Sequence, residues 1–487
     1  MTSAELRSFS AYRLSDWQRG YESLNTEYSY AIDQVEGEIP ANLRGTLFRN
    51  GPGRLDLNGQ RFHHPFDGDG MVCAITFEDG QAFFRNRYVR TEGFVAESAA
   101  GKVLYRGVFG TQKPGGWLAN AFDFNFKNIA NTNVIYWGDR LLALWEAGLP
   151  HELNPATLET VGLSTVGNVL QSNETWSAHP RIDPGGLGAE PRLVNFSLKV
   201  GLSSQVTLYE LNPQNQLLQR KTFEMPGFSF IHDFAITENY YLFFQNPVAF
   251  NPFPFMLGWL GAGQCIEFKA QDPTRIWIVP RKGQGKARVV ETDSCFVFHH
   301  ANAYEVGETI VVDSISYAQF PALDPNADYA EVDFDALPEG QLWRFHIDLN
   351  QTKVTREVLV ERCCEFPTLN PQQMGRPYRF AFMGTSHAAA GNAPLQGLLK
   401  LDLHSGTQTV WSAAPYGFVS EPIFIPKPDA AAEDDGWIAM PIYEAQGHRT
   451  DIALFDAQAI ETGPIARLKL KHHIPYGLHG SFVPQVF

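Results

Sequence analysis

Apolar and polar positions alternate along most of the chain in short runs that break at turn residues, the pattern of antiparallel strands. Residues 71–77 form an apolar run, Glu78-Asp79-Gly80 supplies a turn, and residues 81–89 return. Asp-Gly between two such runs selects a tight hairpin, because both turn positions need a positive φ. Residues 134–137 and 141–145 repeat the arrangement around Gly138-Asp139. Further hairpins are predicted over 208–218, 342–360 and 398–411, and residues 451–456 begin another. No strict period relates them, so the repeat is structural and carries long insertions. Serial hairpins of this kind predict an all-β propeller, in which each blade packs its faces on its neighbours. A lone β-sandwich is the other all-β option and is small for 487 residues. Helical periodicity is confined to short stretches such as residues 330–337. With no Gly/Ser linker or charge run to mark a boundary, residues 1–487 are read as one domain.

Composition narrows the function. A net charge of −15 disfavours nucleic acid, which needs a basic face. The N-terminal residues mix charged and small polar side chains without an apolar central region, so no secretory signal is expected. Five cysteines, an odd number without a CxxC pair, argue against a disulfide framework or a thiolate zinc site, and a reducing cytoplasm is expected. Two segments stand apart: residues 117–126, with Trp117, Leu118, Phe122, Phe124 and Phe126, and residues 250–260, with Phe250, Phe253, Phe255, Met256, Leu257, Trp259 and Leu260. Both are too short to span a bilayer. They either pack as buried insertions or form an apolar patch that dips into a membrane surface.

Fourteen histidines are present, and four share a setting. His179, His232, His299 and His479 each follow an apolar or aromatic residue or run, as though the ring were delivered to a dry interior. No two have the i, i+4 spacing of a helical metal motif. On separate propeller blades they would converge at the axis; taken singly, each reads as a hydrogen-bonded core imidazole. Four neutral imidazoles suit iron(II), copper or zinc. An all-histidine site leaves the ion its full charge and calls for carboxylates behind the rings. Glu146, Glu365 and Glu421 sit in apolar contexts that would serve, with a structural salt bridge as the plain reading of each. His151, His346, His404 and His448 read as solvated.

At these residues the chain resembles the carotenoid cleavage oxygenases, a family of non-haem iron(II) enzymes. The matching segments are Gly45-Thr-Leu-Phe-Arg-Asn-Gly-Pro52, His64-Pro-Phe-Asp-Gly-Asp-Gly-Met71, Phe230-Ile-His-Asp-Phe234, Phe298-His-His-Ala-Asn-Ala-Tyr-Glu305, Cys364-Glu-Phe-Pro367, Ser420-Glu-Pro422 and Pro475-Tyr-Gly-Leu-His-Gly-Ser481. Asn128-Ile-Ala-Asn-Thr-Asn133, Tyr136-Trp-Gly-Asp-Arg140 and Gly391-Asn-Ala-Pro-Leu-Gln396 resemble the cyanobacterial apocarotenoid-cleaving subgroup. The resemblance implies a seven-bladed propeller with an irregular, partly helical cap over an axial site, and residues 1–35 packing on propeller or cap as an extension. It implies one Fe(2+) held by His179, His232, His299 and His479, with Glu146, Glu365 and Glu421 hydrogen-bonded to three of the rings. Thr132 would crowd one open iron position.

The implied reaction is O2-dependent cleavage of a polyene C=C bond, here the 15,15′ bond of an apocarotenal or apocarotenol, giving retinal and a shorter aldehyde. Phe66, Trp145, Phe230 and Phe298 would line the substrate tunnel and stabilise positive charge on the polyene, or are propeller core. The chain would act as a monomer, peripherally attached to a membrane from the cytoplasm. Competing readings are a stilbene-cleaving oxygenase, an isomerohydrolase of the same family, and a non-catalytic binding propeller.

Overall fold

The computed structural model describes residues 11–186, 189–322 and 329–487, so the first ten residues of the expected extension lie outside the described residues. Seven antiparallel sheets of four to six strands form the blades of a propeller, and two further two-stranded ribbons belong to insertions. The innermost strands of blades 2 to 6 are Asn133–Trp137, Arg181–Asp183, Ala235–Ile236, Phe296–Val306 and Cys364–Thr368. In blade 7 the short strands Gly417–Val419 and Ile423–Pro426 share that place, both paired with Gly436–Glu444. In blade 1 it is filled by the C-terminal strand Gly480–Val483, which pairs with Gly45–Arg54.

The predicted hairpins are present. Asp69–Glu78 and Gln81–Tyr88 join through Asp79 (φ 51°) and Gly80 (φ 72°), and Asn133–Trp137 and Arg140–Leu144 through Gly138 (φ 54°) and Asp139 (φ 59°). These paired left-handed residues match the turn to the twist of the flanking strands. Each pair of neighbouring blades encloses one apolar core. Phe48, Val72 and Ala74 of blade 1 meet Val134, Leu141 and Ala143 of blade 2, and Leu47, Ile75 and Phe84 meet Trp437, Ile452 and Leu454 of blade 7. Strands buried on both faces need not alternate, which is why Gly45–Arg54 is buried along its whole length.

The ring is closed at both chain ends. Gly480–Val483 completes blade 1 from inside, Ser29–Ala31 adds to its outer strand, and Val35–Gly37 adds to Ala466–Lys469 on the outside of blade 7. Strand direction alternates outward from the axis, so blade-to-blade crossovers and second-to-third-strand connections emerge at one end. The long insertions, residues 89–132, 246–273 and 318–340, all leave there and build the cap. They hold the helices Glu92–Ala100, Gly116–Asn120 and Pro252–Met256.

Two expectations are corrected here. Residues 330–337 hold only single turns, Tyr329–Glu331 and Phe334–Ala336, because Tyr329 and Phe334 are drawn edge-on against Trp17 instead of sharing a helix face. Glu92–Ala100 was not anticipated: its buried face includes Gly93 and Glu97, so it lacks an apolar stripe. Its ends carry the usual signals, with Thr91 Oγ1 accepting from the Phe94 N–H at 3.1 Å and Gly101 left-handed at φ 63°.

Gly51 is a tight point between the first and last segments. A Cβ there would lie 2.6 Å from the Gly477 Cα, and the adjacent backbone is tied by Leu478 N–H to Asn50 O and Asn50 N–H to His479 O, both at 2.9 Å. Gly51→Val should therefore cost about 1–3 kcal/mol of stability through overpacking. Thermal unfolding should show a melting temperature several degrees below wild type.

Candidate metal centre

The inner strands start, at the cap end, beside the axis, and every blade delivers one singled-out residue there. Blade 1 gives His479, blade 2 Thr132, blade 3 His179, blade 4 His232, blade 5 His299, blade 6 Glu365 and blade 7 Glu421. Glu146 comes from the residues after Arg140–Leu144, the second strand of blade 2, which also ends at the cap. One ring nitrogen of each of the four histidines lies within 4.8 Å of the others.

Carboxylates fix three of the rings from behind. His232 Nδ1 lies 3.1 Å from Glu146 Oε1, His299 Nδ1 2.7 Å from Glu365 Oε2, and His479 Nδ1 2.8 Å from Glu421 Oε1. A carboxylate accepts and cannot donate, so each Nδ1 carries the proton and each Nε2 keeps its lone pair. Those lone pairs face inward. His179 Nε2 and His232 Nε2 are 2.9 Å apart, close to the roughly 3.0 Å expected of two nitrogens about 2.1 Å from one ion at right angles. His299 Nε2 is buried with no hydrogen-bond partner. A buried lone pair with nothing to accept from, beside three more converging ring nitrogens, is a poor core and a good cation site, so the donor set fits a borderline divalent metal.

Electrostatics agree. Burial pushes Glu365 and Glu421 up, but the imidazoles and hydrogen-bond donors around them outweigh it and hold both below the usual carboxylate range; Glu146 is likewise held down, chiefly by His232. Burial and the neighbouring rings push His179 well below the ordinary imidazole value, and burial lowers His479 despite Glu421. At His299 burial also pulls down, yet Glu365 prevails and raises it. The carboxylates thus favour their ionised form behind the rings, and at His299 one of them outweighs burial.

Thr132 is buried, accepts the His479 N–H on its carbonyl at 3.1 Å and turns its hydroxyl to Asn131 Oδ1. Of the four aromatics, Phe298 packs edge-on against His232 at 5.7 Å, Phe230 packs with Phe296, Phe298 and Phe320, and Trp145 is buried beside Glu146. Phe66 is 38% exposed, its ring meets His64 and Phe109, and its carbonyl accepts from Asn131 Nδ2 at 3.1 Å, beside Thr132. A cleft of about 910 Å³, walled by Ser177, Phe228, Phe230 and Ile231, reaches Glu146. His151, expected in solvent, is buried in the strand His151–Leu153 because that strand lies between its neighbours in blade 2.

Three contributors went unnoticed as site residues. Tyr317 donates its hydroxyl to Glu365 Oε1 at 2.7 Å, Arg49 donates to Glu421 Oε2 at 2.5 Å, and Phe366, at φ 57°, donates its N–H to Glu365 Oε2 at 2.6 Å. Arg49 and Phe366 lie inside segments that carry the family resemblance; nothing local marks Tyr317.

A family model described as retinal pigment epithelial membrane protein matches residues 21–484. The chain belongs to this family, the carotenoid cleavage oxygenases. It is 52% identical to an apocarotenoid-15,15′-oxygenase from Synechocystis over 97% of each chain. It is 30% identical to an isoeugenol monooxygenase from Pseudomonas nitroreducens, covering 93% of this chain and 94% of that one. A solved structure of cobalt-substituted Synechocystis apocarotenoid oxygenase superposes with a TM-score of 0.96 at 52% identity, covering 98% of this chain and all of that chain. These similarities make this family member an oxygenase of the carotenoid-cleavage type.

The two apolar segments lie side by side in the cap. The Phe122 N–H bonds the Met256 carbonyl at 2.8 Å, and Phe124 and Phe126 both pack on Phe255 at 5.7 Å. Trp117, Leu118, Phe122, Phe124, Phe253 and Trp259 are 52–72% exposed, so the insertions form one surface patch above a small core at Phe255. Among the described residues, no helix is long and apolar enough to cross a membrane.

His232→Ala removes one lone pair and strands Glu146. Metal analysis should show about one divalent ion per chain in the wild type and almost none in the variant.

Proposed function

We propose that this oxygenase is a non-haem iron(II) dioxygenase that cleaves the 15,15′ double bond of apocarotenals or apocarotenols with O2, giving retinal and a shorter aldehyde. The observation that carries this reading is the cluster of four inward-facing imidazoles backed by three carboxylates. The 52% identity to an apocarotenoid-15,15′-oxygenase supports the substrate class.

His179, His232, His299 and His479 would hold the iron, and Thr132 would crowd one of its open positions. Iron, when bound, supplies the dioxygen chemistry that no amino-acid side chain provides. Glu146, Glu365 and Glu421 hold three rings in the tautomer that points Nε2 at the centre, and Tyr317 and Arg49 hold two of those carboxylates in turn. Phe230, Phe298 and Trp145 make the approach dry and present ring faces to a polyene on which positive charge develops, worth about 2 kcal/mol for a desolvated cation. Successive double bonds of a conjugated chain are chemically similar. The bond cut is therefore chosen by where these rings and the cleft stop the substrate.

A polyene is insoluble, and the exposed Trp117–Phe253 patch offers a place to collect it. The protein attaches there to the cytoplasmic face of a membrane as a monomer, with the aromatic rings at headgroup depth. Trp117 and Phe253 changed together to Ser should lower liposome binding while sparing cleavage of detergent-solubilised substrate. Co-sedimentation and a detergent assay read the two arms; unchanged sedimentation would remove the membrane reading.

Aerobic incubation with apocarotenals, carotenes and resveratrol-like phenolics, followed by chromatography, tests the function itself. Retinal from apocarotenals, with matching O2 uptake, is expected. Turnover of the phenolics alone would favour a stilbene-type oxygenase, turnover without O2 uptake an isomerohydrolase, and no turnover with no iron a binding propeller. Glu365→Gln should slow retinal formation roughly 10–100-fold with the fold retained, as loss of a carboxylate behind a ligating histidine does; circular dichroism and steady-state rates check it.

A further inference from the structure

Four ionised side chains stand directly behind the histidine cluster, and only one is a cation. Glu365 accepts from His299 Nδ1, from the Tyr317 hydroxyl at 2.7 Å and from the Phe366 N–H at 2.6 Å. Glu421 accepts from His479 Nδ1, from the Gly480 N–H at 3.0 Å and from Arg49 Nη1 at 2.5 Å. Glu146 accepts from His232 Nδ1. The Phe366 and Gly480 N–H groups and the Arg49 guanidinium can only donate, which marks Glu365 and Glu421 as acceptor-only, ionised carboxylates. Glu146, with Oε2 buried and unpartnered, is counted as ionised for its pairing with the His232 ring. Tyr317 brings a dipole and no charge. The nearby Arg181 guanidinium is already spent on Asp233 at 2.5 Å.

Arg49 is different. It reaches in from Gly45–Arg54, its side chain is 6% exposed, and its second terminal nitrogen donates to the Leu478 carbonyl at 3.0 Å, beside His479. The formal charge of this shell is therefore three negative and one positive. A dipositive ion on the four neutral imidazoles brings the buried assembly to zero, and a tripositive ion would leave it at plus one. Net charge held away from water is costly, so the shell prefers the ion that cancels it.

We propose that Arg49 is a positioning residue that acts through Glu421 to set the charge balance of the centre, matching it to ferrous rather than ferric iron. Without Arg49 the shell holds three negative charges, and ferric iron becomes the neutral choice. Without the Glu421 charge it holds one net negative charge, and the ferrous state is favoured further. The proposal rests on the iron reading above and adds a residue and a property to it.

The test is a spectroelectrochemical titration of iron-loaded protein, with the ferric form followed by electron paramagnetic resonance and iron content and melting temperature measured alongside. Arg49→Met should raise the ferric-to-ferrous ratio at a fixed potential at least tenfold, a negative shift of about 59 mV for one electron. Arg49→Lys, which keeps the charge but not the two-armed geometry, should stay near wild type. Glu421→Gln should shift the opposite way, and the Arg49→Met/Glu421→Gln double variant should return toward wild type. Should Arg49→Met not fold, a positive shift in Glu421→Gln together with an unmoved Arg49→Lys still supports the role. Equal shifts in the Lys and Met variants, shifts of one sign in Arg49→Met and Glu421→Gln, or a Glu421→Gln variant without a positive shift would overturn it. A wild-type protein that takes up no iron would instead overturn the reading beneath it.

Discussion

The arrangement depends on a constraint imposed by three buried carboxylates. A carboxylate away from water must be satisfied by donors, and here an imidazole Nδ1–H is the donor each time. Satisfying the acid fixes the tautomer, and fixing the tautomer leaves a lone pair on the far side of the ring. Repeated from three directions, with His179 as the fourth ring, this brings four ring nitrogens together, that of His299 buried with no hydrogen-bond partner. The site is selective for a cation before any cation arrives.

A propeller suits such a site because each blade contributes an inner strand at the same end of the axis, so the contributing residues need not be near one another in the chain. The geometry holds only if the ring closes. Closure is made by the strand that follows His479 directly, Gly480–Val483, inserted inside Gly45–Arg54. The same pairing carries Arg49 opposite Gly480 and brings its guanidinium to Glu421, the partner of His479. Closure of the fold and completion of the centre are therefore one event. The two added edge strands of residues 29–37 stitch blades 1 and 7 from outside. They keep the inner closure from being the sole link.

How far this was legible follows from the range of each interaction. Hairpins such as 69–88 are written locally, in a pair of residues that tolerate positive φ between apolar runs. The four histidines share a local setting after apolar or aromatic residues, but that setting and their spacing support core imidazoles as well as ligands, and the family resemblance singles them out. Arg49 and Glu421 are 372 residues apart, and Tyr317 and Glu365 are 48 apart on different blades, so no window of sequence contains either pair. Helix Glu92–Ala100 was hidden for a related reason. Its buried Glu97 is held by Lys127 at 2.6 Å and by the Leu104 N–H at 2.9 Å, partners that a hydrophobicity pattern does not display. Phe66 reaches the cap through contacts its own motif does not display, its ring against Phe109 and its carbonyl held by Asn131 beside Thr132.

The cap divides its labour by charge. Its outward aromatics, Trp117, Phe122, Phe253 and Trp259, lie free of ion pairs on the surface, whereas Arg106 is buried beneath them, donating to the Phe255 and Leu260 carbonyls and covering the Phe255 ring at 4.5 Å. A guanidinium spent on backbone carbonyls holds the insertion together without offering charge to the surface. From Phe255 the ring contacts continue through Phe250 to Phe228, which walls the cleft that reaches Glu146. These contacts join the exposed apolar patch to the wall of that cleft, whose lining mixes Phe230 and Ile231 with the polar Glu174, Lys199 and Arg220. The charged groups are kept apart from that patch: Glu146, Glu365 and Glu421 back three of the histidines, Arg49 backs Glu421, and burial keeps their fields from being screened.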